Sequence, residues 1–294
     1  MQNKKSILDL IEERVILLDG AMGSLLIDQG LPPGTPPDMW NVSNPEIIKK
    51  VHQDYFNAGS DVVLTNTFGS SRLKLMAHKH GSSIEDYNSK AVENARKVCP
   101  ENGYVAADIG PSGVFLPPVG NGTIKGFEEN FLEQAKILAE AGVDLFFIET
   151  MVDLKEAEAA VKAVKQVSKK PVFASITYQK TKRGYFTIMG NSVEECVNSL
   201  QDLGVDAIGA NCTISSDEMV DLISKIKQFT DLPIIAKPNA GKPQLVEGKT
   251  VYQTTAIDFA KDINQMVKNG ARIVGGCCGS NPEFIKEINQ LIKR

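Results

Sequence analysis

The strongest constraint on this chain is a rhythm: a short β-branched run, a turn and an amphipathic helical stretch, repeated eight times. The runs fall at 15–18, 61–64, 104–107, 145–148, 172–176, 207–210, 234–236 and 272–274. They are continuous and apolar rather than alternating, as strands covered on both faces must be. Helical patterns follow at 45–58, 84–98, 128–141, 154–167, 193–203, 218–229, 255–268 and 282–292. In 128–141, for example, Phe131, Ala135, Leu138 and Ala139 share one face. Capping signals mark several helix starts: Asn44-Pro45, Ser192 with Glu195 three residues on, and Asn281-Pro282. Glycines mark the ends, at Gly59, Gly142, Gly204 and Gly270.

Eight strand–helix units with no linker between them predict an α/β protein that is a single (β/α)8 TIM barrel over residues 1–294, with an extra N-terminal helix at 3–13. The length suits this, since such barrels need roughly 250 residues. A doubly wound open sheet is the competing architecture, but 19–23 leads into no G-x-G-x-x-G phosphate loop. The longest connections, near 28–44, 110–126, 178–191 and 239–253, would open on one face of the barrel.

Charge and composition narrow the function classes. A net charge of −4 with no Lys/Arg cluster argues against nucleic acid and anionic membrane surfaces as partners. No segment approaches the ~20 apolar residues of a membrane span, and the polar, charged N-terminus carries no secretory h-region. The expected location is cytoplasmic. There the five cysteines stay reduced. Cys99 and Cys196 sit in helix-like segments and read as small buried apolar residues.

The other three cysteines lie at strand ends, where barrels of this kind assemble their active sites. Strand six ends in Asn211-Cys212 and strand eight in Gly275-Gly276-Cys277-Cys278-Gly279. Three thiolates on two nearby strand ends suit Zn(II), and three protein ligands leave one coordination position for a substrate. His52, His78 and His80 fall away from the strand ends, which disfavours a histidine site. A trisulfur site carries net negative charge and keeps a fourth, substrate thiolate electron-rich, which favours thiol activation over hydrolysis. Asp19 and Glu149, ending strands one and four, suit a substrate ammonium group. Plainer readings exist for both: a turn at Gly20, and a buried ion pair of Glu149 with Lys237. The amides of Gly20, Ala21 and Met22 could hold a carboxylate. An amino acid bearing a thiol would satisfy all of these groups. Lys237 as a Schiff-base nucleophile, and a non-catalytic zinc or partner-binding module, are the rival readings.

Taken together, Asp19-Gly20-Ala21-Met22-Gly23, Thr65-Asn66-Thr67-Phe68-Gly69, Ile148-Glu149-Thr150-Met151, Asn211-Cys212, Lys237-Pro238-Asn239-Ala240-Gly241 and 275–279 resemble the homocysteine S-methyltransferase family over essentially the whole chain. The wording is nearest to the homocysteine-binding N-terminal module of cobalamin-dependent methionine synthase. The resemblance implies Cys212, Cys277 and Cys278 as zinc ligands and catalytic centre, with homocysteine sulfur as the fourth ligand. It implies Asp19, Gly20, Ala21, Met22, Glu149, Asn211 and Asn239 as substrate contacts, with the Asn239 oxygen near zinc when substrate is absent. The product would be methionine. No folate- or cobalamin-binding region follows the eighth helix, so the expected donor is a methylated corrinoid on a separate protein. A small onium donor is the alternative, caged by aromatics drawn from Trp40, Tyr178, Tyr185 and Phe186. Two segments depart from the family pattern. The stretch 213–218 lacks a glycine turn, and 180–191 is individual, with Arg183 and Tyr185 expected near the mouth.

Overall fold

The computed structural model describes residues 4–246 and 249–292. Eight parallel strands form the centre: β1 (Ile16–Leu17), β2 (Val62–Leu64), β3 (Tyr104–Ile109), β4 (Leu145–Met151), β5 (Val172–Ile176), β6 (Ala207–Ser215), β7 (Ile234–Asn239) and β8 (Ala271–Val274). They pair in the order β1-β8-β7-β6-β5-β4-β3-β2. A parallel bridge between Leu18 and Val62 joins the two ends of that row. The expected TIM-like barrel is therefore present, with helices packed around it.

Side-chain parity explains the core. Ile16, Leu18, Val62, Leu64, Ala106, Phe147, Phe173, Ile235 and Ile273 form one buried cluster inside the ring. Their neighbours Leu17, Val63, Val105, Ala107, Phe146 and Ile148 point the other way and join the apolar faces of the surrounding helices. Each fully buried Leu, Ile or Phe contributes roughly 1.5–3 kcal/mol of transfer free energy. The ring is tight enough that a Cβ on Gly209 would lie 2.0 Å from the Ile235 carbonyl oxygen. Side chains alternate along a strand, so two residues further on the inward positions become Asp108, Glu149, Ser175, Asn211 and Lys237. The apolar interior is thus roofed by a polar layer.

The Gly-x-Asp turns before three of the strands have a definite task. The Asp61 carboxylate accepts the Leu17 amide, Asp144 accepts Val105 and Asp206 accepts Val172, each at 2.8 Å. The start of β2 is thereby tied to β1, β4 to β3 and β6 to β5. Arg14 adds a two-pronged contact to Asp61 at 2.9 and 2.8 Å. Gly59 and Gly270, both at φ 107, close their helices in the left-handed conformation that glycine adopts freely.

Some boundaries differ from expectation. The N-terminal helix is Ile7–Glu13, begun by the Ser6 hydroxyl; residue 3 lies outside the described residues. The helix expected from 128 starts at Ile124, because Thr123 caps it by accepting the Gly126 amide. Ser192 and Glu195 form the expected capping box. Asn44 gives no side-chain cap; its Oδ1 accepts the Ser43 hydroxyl at 2.8 Å instead. Two loops contain hairpins, Gln179–Thr181 with Gly184–Phe186 and Gln244–Val246 with Lys249–Val251. Part of the 239–253 loop, residues 247 and 248, lies outside the described residues. Among the described residues no helix is long and apolar enough to cross a membrane.

Candidate active site

The three strand-end cysteines meet. After Asn211, β6 loses register with β7, recovering only at Ser215 opposite Asn239. Cys212 and Thr213 both take φ 60 there, a left-handed backbone that costs a non-glycine residue of order 1 kcal/mol. Cys277 and Cys278 arrive from β8 through Gly275 and Gly276, where a Cβ on Gly276 would lie 2.2 Å from Ser280 Oγ. The Sγ atoms of Cys212, Cys277 and Cys278 lie within 4.8 Å of one another, and all three residues are part-buried. Three soft donors converging at this spacing fit one tetrahedral Zn(II) with a position to spare.

With their protons in place, the sulfurs bond to each other. Cys277 and Cys278 donate to Cys212, whose thiol is thereby pushed down to about 3 against the opposing effect of burial. Cys277 is raised well above the usual thiol range, first by its bond to Cys212. Of the three thiols, Cys212 is the one whose ionised form the hydrogen bonds of its neighbours favour. The Asn239 amide adds a further bond to Cys212, while its buried Oδ1 has no partner among the described residues. The Tyr252 phenol, on the 239–253 loop, interacts with Cys278; burial and that thiol push it up to about 12.

Two carboxylates share this end of the barrel, Glu149 on β4 opposite β8 in the ring and Asp19 directly after β1, the neighbour of β8. Asp19 is buried; its Oδ2 accepts the Leu64 amide at 2.8 Å, and its Oδ1 has no partner among the described residues. Burial raises its pKa to about 7, with Lys237 opposing. Glu149 Oε2 accepts Lys237 Nζ at 2.8 Å, both side chains being buried. The ion pair offered as the plainer reading of Glu149 is thus present, yet Glu149 also lines the cavity. Burial works against the charge on Lys237, but Glu149 and then Asp19 outweigh it and hold the amine protonated. A lysine so held is not a free nucleophile, which removes the physical basis of the Schiff-base rival.

One cavity of about 400 Å³ joins thiols and carboxylates, lined by Asp19, Glu149, Cys212, Cys277, Cys278 and the 20–22 segment among others. The Ala21 amide donates to Ser280 Oγ at 3.2 Å, and Ser280 donates to the Cys277 carbonyl at 2.7 Å. The amides of Gly20 and Met22 have no protein acceptor among the described residues. A Cβ on Gly20 would meet Ser280 Oγ at 2.7 Å and Tyr55 Oη at 2.8 Å. That crowding packs the first loop against the cysteine loop.

Not every expected residue reaches the cavity wall. Asn211 stands behind it: its Oδ1 accepts the Thr150 amide (2.8 Å) and Ser175 Oγ (2.6 Å), and its Nδ2 donates to Thr150 Oγ1 at 2.7 Å. It also reaches Cys277 Sγ at 4.0 Å. Asn239 likewise contacts the sulfurs from outside the cavity. The aromatics that the alternative onium donor would need, Trp40, Tyr178, Tyr185 and Phe186, do not line the cavity. Trp40 and Tyr178 are buried, and Tyr185 is bonded to Asp221 and the Glu218 carbonyl at 3.1 Å. Arg183 instead lies over the Phe186 ring at 5.5 Å. Phe68, from the loop after β2, is the aromatic side chain that lines this cavity. Asp108, Lys74 and His78 also line it without having been singled out as site residues. Inward parity along β3 would have pointed to Asp108; the other two come from a helix, Arg72–Ala77, and its C-terminal residue.

Comparison with known proteins agrees with this geometry. Residues 16–292 match the family described as "Homocysteine S-methyltransferase". The chain is 30% identical to the methionine synthase of Mycobacterium tuberculosis (strain ATCC 25618 / H37Rv) over 96% of its length, and 29% identical to that of Mycobacterium leprae (strain TN) over 100%. It spans about a quarter of those proteins, 25% and 26% respectively. The metallated form of the homocysteine methyltransferase MmuM from Escherichia coli has the same fold, with TM-score 0.81 at 24% identity, covering 96% of this chain and 98% of that one. Its oxidized form gives TM-score 0.79 at 25% identity with the same coverage. With a family match running from the first strand to the last helix, the chain belongs to the homocysteine S-methyltransferase family.

Proposed function

We propose that this methyltransferase binds zinc through Cys212, Cys277 and Cys278, takes homocysteine as its acceptor, and forms methionine with a methyl group from a methylated corrinoid. The observation that carries the reading is one cavity lined both by three cysteines whose sulfurs lie within 4.8 Å of one another and by the buried acids Asp19 and Glu149. That pairing of soft sulfur donors with carboxylates matches the polarity of an amino thiol. The likeness to two methionine synthases along the chain supports methionine as the product, and the resemblance of the strand-end motifs to the module of cobalamin-dependent methionine synthase is what favours a corrinoid donor.

Bound zinc would supply a Lewis acid that keeps the acceptor sulfur ionised at neutral pH. The chain's own residues do the rest. Asp19 and Glu149 receive the ammonium, and Lys237 holds Glu149 in place through its 2.8 Å contact. The Gly20 and Met22 amides receive the carboxylate, with Ala21 fixing the loop through Ser280. Asn211 holds the Thr150 corner and Cys277 in place, and Asn239 steadies Cys212, its amide able to present nitrogen or oxygen to the sulfurs. The acceptor is thus tethered at both ends with its sulfur facing the cavity. In the transfer, a sulfur lone pair forms the S–CH3 bond while the methyl–donor bond breaks and its electron pair stays with the donor. Orientation and exclusion of water supply most of the acceleration. Three reduced thiols require a reducing compartment, consistent with the cytosol, and residues 1–294 act as one barrel unit.

The test is zinc content and methionine formation from homocysteine and methylcobalamin. Wild type should hold about one zinc per chain. Cys212→Ser and Cys278→Ser should lose zinc and turnover together. Zinc and homocysteine binding without turnover would transfer the donor role to a small onium compound. Absence of zinc from reduced protein would end the reading.

A further inference from the structure

The cavity holds more carboxylate than an Asp19–Glu149 pair accounts for. Asp108 continues the inward row of β3, directly after Tyr104 and Ala106, and faces the cavity beside Glu149 on the adjacent strand β4. Its backbone is fixed on both sides: its amide donates to Thr65 Oγ1 at 3.1 Å, and its carbonyl accepts Thr67 Oγ1 at 2.7 Å. The side chain is only 7% exposed, and Oδ1 has no hydrogen-bond partner among the described residues. Burial, then the nearby Glu149, raise its pKa well above the usual carboxylate range, and Lys237 only partly offsets this. A buried carboxylate oxygen without a partner is destabilising unless a cation comes to it. Lys237, the buried cation of this layer, is already bonded to Glu149.

An amino acid ammonium has three N–H donors. Three carboxylates line the same cavity, those of Asp19, Asp108 and Glu149, and both Asp19 and Asp108 have an oxygen without a partner among the described residues. We propose that Asp108 is the third acceptor of the substrate ammonium, and so a specificity-determining residue that restricts the acceptor to thiols carrying a free primary amino group. The inference rests on the amino-thiol reading above and extends it to a residue with no part in that reading. A secondary or absent amino group would leave Asp108 buried and unpaired, and would be rejected for that reason.

The experiment is calorimetric binding of two probes to the zinc-loaded protein: homocysteine, and 4-sulfanylbutanoate, which has the same thiol and carboxylate but no amino group. Wild type should prefer homocysteine. Asp108→Asn should weaken homocysteine roughly 10- to 100-fold, the range expected for a lost bond to a charged group, and leave 4-sulfanylbutanoate unchanged. Zinc content and melting temperature report that the variant is folded. Asp108→Glu, which keeps the charge, should retain part of the preference. If wild type prefers homocysteine and Asp108→Asn keeps the whole preference, or weakens both probes equally, the proposal is overturned alone. If wild type shows no preference between the probes, it falls together with the amino-thiol reading.

Discussion

Asp19 shows what a buried carboxylate at the cavity wall asks of the protein that carries it. Burial raises its pKa from 3.8 to about 7, so between those values the folded chain holds a proton that the unfolded chain has released. Stability from this group is therefore greatest below pH 4 and falls as pH rises through about 7. Asp19→Asn should stabilise the substrate-free protein at pH 8 by on the order of 1–4 kcal/mol and flatten its pH profile, while weakening homocysteine binding. Thermal melts at pH 5 and pH 8 check this; a variant less stable than wild type at pH 8 would contradict it. At this scale the sequence was legible where a residue type and a strand end coincide, as for Cys212, Cys277, Cys278, Asp19 and Glu149. It was not legible where a role depends on who else has a partner. That Asp108 Oδ1 has no partner among the described residues is a property of the packed layer, whereas the Glu149–Lys237 pair could be named in the sequence as the plainer reading of Glu149 and is present.

Elements carry the site through small departures from regularity. The eight runs and eight helices could be counted in the sequence because burial on both faces leaves a continuous apolar signal. The strands run further than that signal: β4, β6 and β7 extend to Met151, Ser215 and Asn239, since polar residues of the roof layer keep pairing after apolar ones stop. The left-handed pair Cys212 and Thr213 had no sequence mark, because the usual one, glycine, is missing. Gly209, two residues before Asn211, has the opposite character, its place set by contact with the neighbouring backbone. Gly209→Ala would drive a Cβ into the Ile235 carbonyl, 2.0 Å away, and must part β6 from β7. A loss of ~3 kcal/mol or more is expected, with zinc affinity falling because Cys212 and Asn239 move apart. Denaturant unfolding and chelator competition measure both; an unchanged midpoint would show that the strands can give way.

Three of the four strand pairs of the ring share one tie. Asp61, Asp144 and Asp206 bind β2 to β1, β4 to β3 and β6 to β5 through the same 2.8 Å contact. At the corresponding place before β8 the chain has Gly270-Ala271-Arg272, and Arg272 reaches instead to the Ile11 and Glu12 carbonyls of the N-terminal helix. Among the described residues the fourth pair, β7 with β8, thus lacks the carboxylate tie, and this is the pair that leads to Asn239, Cys277 and Cys278. A metal held between Cys212 on β6 and the two cysteines after β8 would bridge across β7. On chelation, amide exchange should accelerate first at 207–215 and 271–280, before 104–109 and 145–151, and a uniform loss of protection would refute this order. The proposed ion then has a second office, as a removable rivet in an otherwise self-fastened hoop. In a cell starved of zinc, such an enzyme would stop working and would also begin to come open at one known seam, where proteases could take hold.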